Sequence, residues 1–321
     1  MRTIQTQQTF SLSSVKPLEG LIAYRAFCVE ATRRALQEGA LRWTRSPISG
    51  SPLVPCGDVD GLAYGRCPDG GGLFLLERAA PKAWGRLLAH VSRHRHSPEA
   101  FHAGLAKSRT DHVYAPKLEW IEDALRLQDL HRPMVLEVVT PPSEFTGFLA
   151  DSGSFADVLT VDETELATTA QGPRAQAAVL LESLDRAQDP VVLLGRVADQ
   201  LTEGGLLFVT ALVASGFDLA VLGIRNLYLY PPDRANCFSL SGLAALLRRA
   251  GFQLLELSTP GVLDVEIVQA HLRHDPTISL SSFERGLLEA PTEAQEGFQT
   301  FLQQQGLSSF ARLVARKSSN V

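Results

Sequence analysis

The stretch Met134-Val-Leu-Glu-Val-Val-Thr-Pro-Pro-Ser-Glu-Phe145 decides how this chain reads. Residues 134–139 form an apolar strand whose acid, Glu137, stands where a ligand-binding α/β domain turns from its first strand into its first helix. Such a turn uses glycine, because a missing Cβ lets the backbone bend tightly and approach a ligand. Val139, Thr140, Pro141 and Pro142 occupy it here. Proline fixes φ, removes an amide donor and restricts the residue before it. The stretch has the frame of a ligand loop without its chemistry.

Downstream, strand and helix patterns alternate. Strand-like runs cover 134–139, 157–161, 177–181, 206–212, 252–257 and 311–315, with helical runs at 190–201 and 240–250. Gly204-Gly205 and Gly251 read as stops at the C-caps of those helices. Alternation of this kind predicts a mostly parallel sheet covered by helices. Its ligands would sit beyond the strand C-termini. Glu137, Asp162 and the loop 139–146 would face that crevice.

Upstream, residues 1–19 are polar and read as a loose arm, and residues 20–43 carry apolar residues at helical spacing. Residues 46–72 are rich in Pro and Gly and read as a turn-rich knuckle with short strands at 61–66 and 73–77. Residues 81–131 read as helices, including 84–91 and 117–128. The apolar helix at 20–36 offers an association surface. The expected division is an N-terminal helical region, 1–131, holding the knuckle at about 46–77, and a Rossmann-like domain at 132–321.

The 321 residues are 45% apolar and 20% charged, as in an ordinary globular protein. A formal charge of -5 gives no global attraction to nucleic acid or an anionic membrane. No run reaches the roughly 18–20 apolar residues of a membrane span. The opening residues lack an apolar signal core, so a cytoplasmic location is expected. Cys28, Cys56, Cys67 and Cys237 follow no repeated spacing and form no disulfide framework. His90, His94, His96 and His102 lack a carboxylate or thiolate at fixed spacing to complete a metal set. Ser108, Asp111 and His112 suggest a triad by composition alone. Trp120, Tyr228, Tyr230 and Phe238 read as core or pocket lining, and Gly261, Asp264 and Glu266 as turn chemistry opening a helix.

The late segments Gly216-Phe-Asp-Leu-Ala-Val-Leu-Gly223, Pro231-Pro232, Phe238-Ser-Leu-Ser-Gly-Leu243, Ser258 to Val268 and Gly306 to Lys317 carry a resemblance. The chain resembles class I S-adenosylmethionine-dependent methyltransferases, and most of all the bacterial group with an N-terminal zinc-ribbon-like knuckle. The resemblance spans about residues 46–317 and is strongest after 190. It implies that Glu137 matches the acid of the first motif and Asp162, with Glu163 beside it, the acid that binds the cofactor ribose. A carboxylate suits a diol because its two oxygens accept two hydroxyl protons.

The remaining family positions have changed. The first-motif glycines are absent. Only residues 163–176 separate Asp162 from Ala177, too few for the helix, third strand and adenine loop of the family, so one edge strand is expected to be missing. A Glu-His pair is Glu182-Ser183, and a His-Leu-Asn-Phe-type run is Arg234-Ala-Asn-Cys237. In the knuckle, Ser46-Pro-Ile-Ser-Gly50 and Cys67-Pro-Asp-Gly70 replace the paired cysteines, so no zinc is expected. Methyl transfer needs little beyond positioning an activated methyl group, so a lost base alone would not end activity. The coincidence of losses gives the first expectation, a pseudo-methyltransferase acting as a binding, regulatory or scaffolding subunit, with a protein partner or self-association. The alternative is a divergent active enzyme on a small molecule, holding S-adenosylmethionine through Glu137, Asp162 and Glu163. A third reading is a crevice reused for another ligand or chemistry.

Overall fold

The computed structural model describes residues 7–97, 104–167 and 174–318. The chain begins with α1 (Leu12–Val15) and α2 (Leu18–Gln37), then β1 (Ala40–Arg42), β2 (Val54–Val59), β3 (Leu62–Arg66), β4 (Leu73–Leu75), β5 (Glu77–Ala79) and α3 (Pro81–Arg95). Next, α4 (Ala106–Arg109) passes through a π-helical turn, Thr110–Tyr114, into α5 (Ala115–Leu127). Then follow β6 (Met134–Val138), α6 (Glu144–Asp151), β7 (Asp157–Val161), a 3-10 turn Glu165–Ala167, β8 (Ala175–Leu181), α7 (Ser183–Arg186) and α8 (Pro190–Gln200). The chain continues with β9 (Leu201–Leu212), α9 (Phe217–Leu222), β10 (Asn236–Cys237), α10 (Leu240–Arg249) and β11 (Phe252–Ser258). It ends in α11 (Asp264–His274), α12 (Ser282–Leu288), α13 (Thr292–Gln304) and β12 (Phe310–Lys317).

The main sheet has the order β11-β12-β9-β8-β6-β7. β7, β6, β8 and β9 run parallel, and β12 is antiparallel to both its neighbours. Side chains alternate across it, as a pleated strand requires. Leu136, Ala178, Leu180, Leu207 and Val209 pack against Leu193, Leu194 and Val197 of α8 and Leu243 and Leu247 of α10. Val135, Ala177, Val179, Leu206 and Phe208 pack on the other face against Trp120 and Ile121 of α5 and Phe145 and Leu149 of α6. This is the expected helix-covered α/β sheet. Among the described residues no strand lies beyond β7, in line with the short 163–176 segment.

The N-terminal region is joined to this frame. β2, β3 and β4 form an antiparallel sheet that β10 completes from the far half of the chain. Arg78, fully buried, donates to the carbonyls of Gln188 (2.6 Å), Ala235 (3.2 Å) and Ala187 (3.3 Å) and to Oδ1 of Asn236 (2.7 Å). Its guanidinium lies 4.1 Å from the Trp43 ring centroid. The apolar face of α2, expected as an association surface, packs inward through Leu21, Tyr24, Cys28 and Val29.

The Pro- and Gly-rich stretch 46–72 contains two turns, closed by the Gly50 amide donating to the Ser46 carbonyl and the Gly71 amide to the Cys67 carbonyl, at 2.9 Å each. Its two turns meet, so that Ser49 Oγ lies 3.7 Å from Cys67 Sγ and the Gly70 amide donates to that sulfur at 3.2 Å. Burial opposes the Cys67 thiolate, but hydrogen bonds from Ser46, Ser49 and two backbone amides outweigh it and lower the thiol's pKa. Hydroxyls and amides stand around the one sulfur of this corner. Among the described residues no cluster of three or more His, Cys, Asp or Glu could hold a metal, and no helix is long and apolar enough to cross a membrane.

Two local expectations change. Gly204-Gly205 does not cap a helix: α8 ends at Gln200, and the glycines sit inside β9 where its pairing with β8 shifts register. A Cβ at Gly205 would stand 2.9 Å from the Thr202 carbonyl, so a bulge, not a cap, requires the glycine. The arm, expected to be loose, is docked from residue 7 onward. Both carboxylate oxygens of Glu266 accept from the Leu12 amide at 3.0 Å, and Gln8 Nε2 donates to the same carboxylate at 3.0 Å.

Candidate functional site at the strand crest

The C-terminal ends of β6, β7 and β8 form the crest where the sequence places the site. Glu137, 2% exposed, accepts from Thr146 Oγ1 at 2.6 Å and from Ser143 Oγ and Thr160 Oγ1 at 3.4 Å each. Burial raises its carboxyl pKa, and these three hydroxyls pull the other way. The carboxylate is thus met by its own strand–helix turn, through Ser143 and Thr146, and by Thr160 of the neighbouring β7. The turn itself is held from outside: Ser92 Oγ of α3 lies 3.0 Å from the Thr140 carbonyl and 3.1 Å from that of Pro142.

Asp162 acts as a cap. Its Oδ1 accepts from the Thr164 amide (2.8 Å), Thr164 Oγ1 (2.6 Å) and the Glu165 amide (2.8 Å), opening the 3-10 turn. Glu163 turns the opposite way and accepts from the Gln188 amide at 3.3 Å. Burial raises its pKa, and the amides of Gln188 and Asp189 with the charges of Arg196 and Arg78 oppose that. Of the three sequence-derived residues, Glu137 alone lines the cavity described below.

α3 touches the loops after all three strands. Besides Ser92 on the β6 loop, Gly85 meets Thr164 after β7, where a Cβ would lie 2.8 Å from Thr164 Cγ2. Trp84 Nε1 donates to the Arg186 carbonyl after β8 at 2.9 Å. Trp84 is 1% exposed, so the crossing is anchored in the core.

Beyond β8 the crest is open. A cavity of about 400 Å³ lies among the docked arm, the π-helical turn, the ends of β6 and β8, the 228–234 segment and the 260–264 loop. Glu182 stands at its floor with φ 61°, a left-handed conformation uncommon outside glycine and frequent at functional sites. Its Oε2 accepts from Arg234 Nη2 at 2.5 Å, and its Oε1 lies 3.7 Å from Lys117 Nζ. Burial would raise this carboxyl, but the charges of Arg234, Lys117 and Lys16 outweigh it and hold it well below the usual range. Burial, with the cations Arg109, Arg312 and Lys16 nearby, brings Lys117 down to about 8. Lys16 is lowered as well, chiefly by burial. At the far wall, burial and the neighbouring Asp264 push Asp218 up to about 7. Ser309 Oγ, Asn226 Nδ2 (3.1 Å) and the Leu219 amide (2.8 Å) donate to Asp218.

Residues 143–257 match a protein family described as a methyltransferase domain. The match begins directly after the glycine-free turn and runs through β11. The fold is that of a class I methyltransferase. A comparison with curated proteins gives no match. Among solved structures the chain is similar to the Burkholderia thailandensis 1,6-didemethyltoxoflavin N1-methyltransferase with bound 1,6-didemethyltoxoflavin and S-adenosylhomocysteine. That likeness has 12% identity and TM-score 0.44, covering 83% of this chain and 99% of that one. It is also similar to the plantazolicin methyltransferase BpumL in complex with S-adenosylhomocysteine, at 14% identity and TM-score 0.42, over 73% of this chain and 95% of that one. At these scores the likeness is one of outline.

Within this methyltransferase fold the other sequence candidates separate. Tyr228 and Tyr230 line the cavity, while Trp120 and Phe238 are core. Asp111 pairs with Lys107 at 2.6 Å and His112 stacks on Phe10 at 4.6 Å, so they do not build a triad. His94 stacks on Phe27 at 3.7 Å, and His102 lies outside the described residues. Asp264 and Glu266 do open a helix, α11, but their carboxylates reach β12 and the arm. Lys16 and Lys117 went unrecognised as site residues. Lys117 had a signal: it shares a helical face with the buried Trp120, Ile121 and Ala124, where a lysine is out of place.

Proposed function

We propose that this chain is a pseudo-methyltransferase: a methyltransferase fold retained for binding, as a regulatory or scaffolding subunit. The observation that carries the reading is α3 lying on the loops after β6, β7 and β8, with Asp162 spent as a cap beneath it. S-adenosylmethionine would need the Asp162 carboxylate for its ribose and a yielding turn after Glu137. What supports its exclusion is that three donors already meet Asp162 Oδ1 and a serine of α3 is bonded to the turn's carbonyls. Isothermal titration with S-adenosylmethionine and S-adenosylhomocysteine at millimolar concentration tests this; no binding heat is expected. Micromolar affinity together with a methylated product would overturn it.

The cavity favours a second reading, a divergent methyltransferase acting on a small molecule, because Glu137 and an acceptor-sized space adjoin. Cofactor at 100 times its dissociation constant would then stabilise the fold by about 2.7 kcal/mol, and Asp162→Ala would abolish that gain.

A further inference from the structure

Lys16 and Lys117 are two ammonium groups, with three donors each, on the wall of one cavity, and among the described residues neither nitrogen has an acceptor within hydrogen-bonding distance. Lys117 is 7% exposed, and its nearest acid oxygen, on Glu182, is 3.7 Å away. That carboxylate already accepts from Arg234 at 2.5 Å. Lys16 Nζ lies 5.2 Å from the Tyr228 ring centroid and Lys117 Nζ 5.6 Å from that of Phe310.

Of the other cations at this wall, Arg95 and Arg186 pair with Asp233, and the Nε atoms of Arg186 and Arg312 make no hydrogen bond among the described residues. Arg234 bridges Glu182 and Asp185, and Arg109 donates to Tyr114 Oη at 2.7 Å and to the Val15 carbonyl at 3.3 Å. Arg312 lies over Trp120. The unmet donors therefore converge from the arm and from α5 onto one side of the space. Rings line part of the remaining wall, Phe10 stacked on His112 with Tyr114, Phe145, Tyr228 and Phe310, and the carboxylates Glu137, Glu144, Asp218, Asp233 and Asp264 also face the space. Flat apolar walls beside two ammonium groups match a planar ring that carries an acid.

We infer that the cavity beyond β8 binds a small aromatic acid, its ring between the arm and the 228–234 segment and its anionic oxygens on Lys16 and Lys117. The inference deepens the binding-protein reading and stands on the cavity alone, so aromatic acids that fail to bind would remove it and leave the S-adenosylmethionine titration untouched. Phe10 and Lys16 belong to the arm that Glu266 docks, so such a ligand would also hold the arm down.

The test is a thermal-shift and titration series on the full chain with benzoate, phenyl phosphate, benzamide and inorganic phosphate. Benzoate and phenyl phosphate are expected to raise the melting temperature and benzamide not to. Lys117→Met should weaken the acids at least tenfold without lowering the melting temperature of the unliganded protein, because it removes a buried charge. Should that variant fail to fold, Lys16→Met on the arm carries the same expectation. Glu182, Arg109, Arg312, Arg234 and Lys16 face Lys117, whose nitrogen is charged below about 8; affinity should fall as pH rises through that value. Equal stabilisation by benzamide, full binding retained in both lysine variants, or no response to either aromatic acid would overturn the inference. Inorganic phosphate acting as strongly as phenyl phosphate would overturn the aromatic part.

Discussion

The two ends of the strand crest have opposite fates. Past β6 and β7, hydroxyls, amides and a helix meet Glu137 through Thr146, one oxygen of Asp162 through Thr164 and Glu165, and the turn carbonyls through Ser92. Past β8 and β9, charged groups stand around an open space with donors to spare. One sheet supports both, which separates the stability of a methyltransferase frame from the contents of its crevice.

The sharpest way to break that contrast is Trp84→Ala. Removing this anchored indole should cost about 3–5 kcal/mol, read as a lower denaturant midpoint. It should also loosen α3 from the crest, so amide exchange should quicken in residues 139–143 and around Arg186, which Trp84 contacts, while Asp218 and its neighbours at the far wall stay protected. Uniform quickening at both ends would mean that the two ends open as one. Ser92→Ala is gentler, about 1 kcal/mol, and frees the Thr140 and Pro142 carbonyls without touching the core. On the pseudo-methyltransferase reading, this variant should show more S-adenosylmethionine stabilisation than the parent protein; no gain would count against closure by α3 as the basis of that reading. Gly85→Ala should change stability least, by less than about 1 kcal/mol, because the gain in helix propensity opposes the push against Thr164. Thr164→Ser in the same chain removes the opposing methyl and should turn the change into a net gain.

Much of the frame was legible. β6, β8 and β9 are buried on both faces and read as apolar runs, and Gly251 with φ 82° ends α10 as expected. Among the described residues β7 is the outermost strand on that side, and residues 168–173 of the short 163–176 segment lie outside them. Glu137 could be placed at the crest because a strand end is a local property. The fate of Asp162 could not, since it depends on a three-residue turn whose amides point back at it. Closure by α3 was also out of reach, because Ser92 and Thr140, or Gly85 and Thr164, meet only in three dimensions. Gly204 and Gly205 misled because a strand follows α8 without a connecting loop, so glycines needed for a bulge looked like a stop.

The pairing of β10 with β4 also sets an order of assembly. Residues 62–75 leave the ribosome long before Asn236 and Cys237 exist; at about 5–20 residues per second the wait is on the order of ten seconds. Throughout it the first sheet lacks its fourth strand, and Arg78 lacks the Ala235 and Asn236 oxygens that accept from its guanidinium. Tyr64 and Phe74, fully covered in the finished protein, stay available to chaperones for that interval. The nascent N-terminal region is a pending half of a joint, and the chain commits to its fold only when its second half arrives.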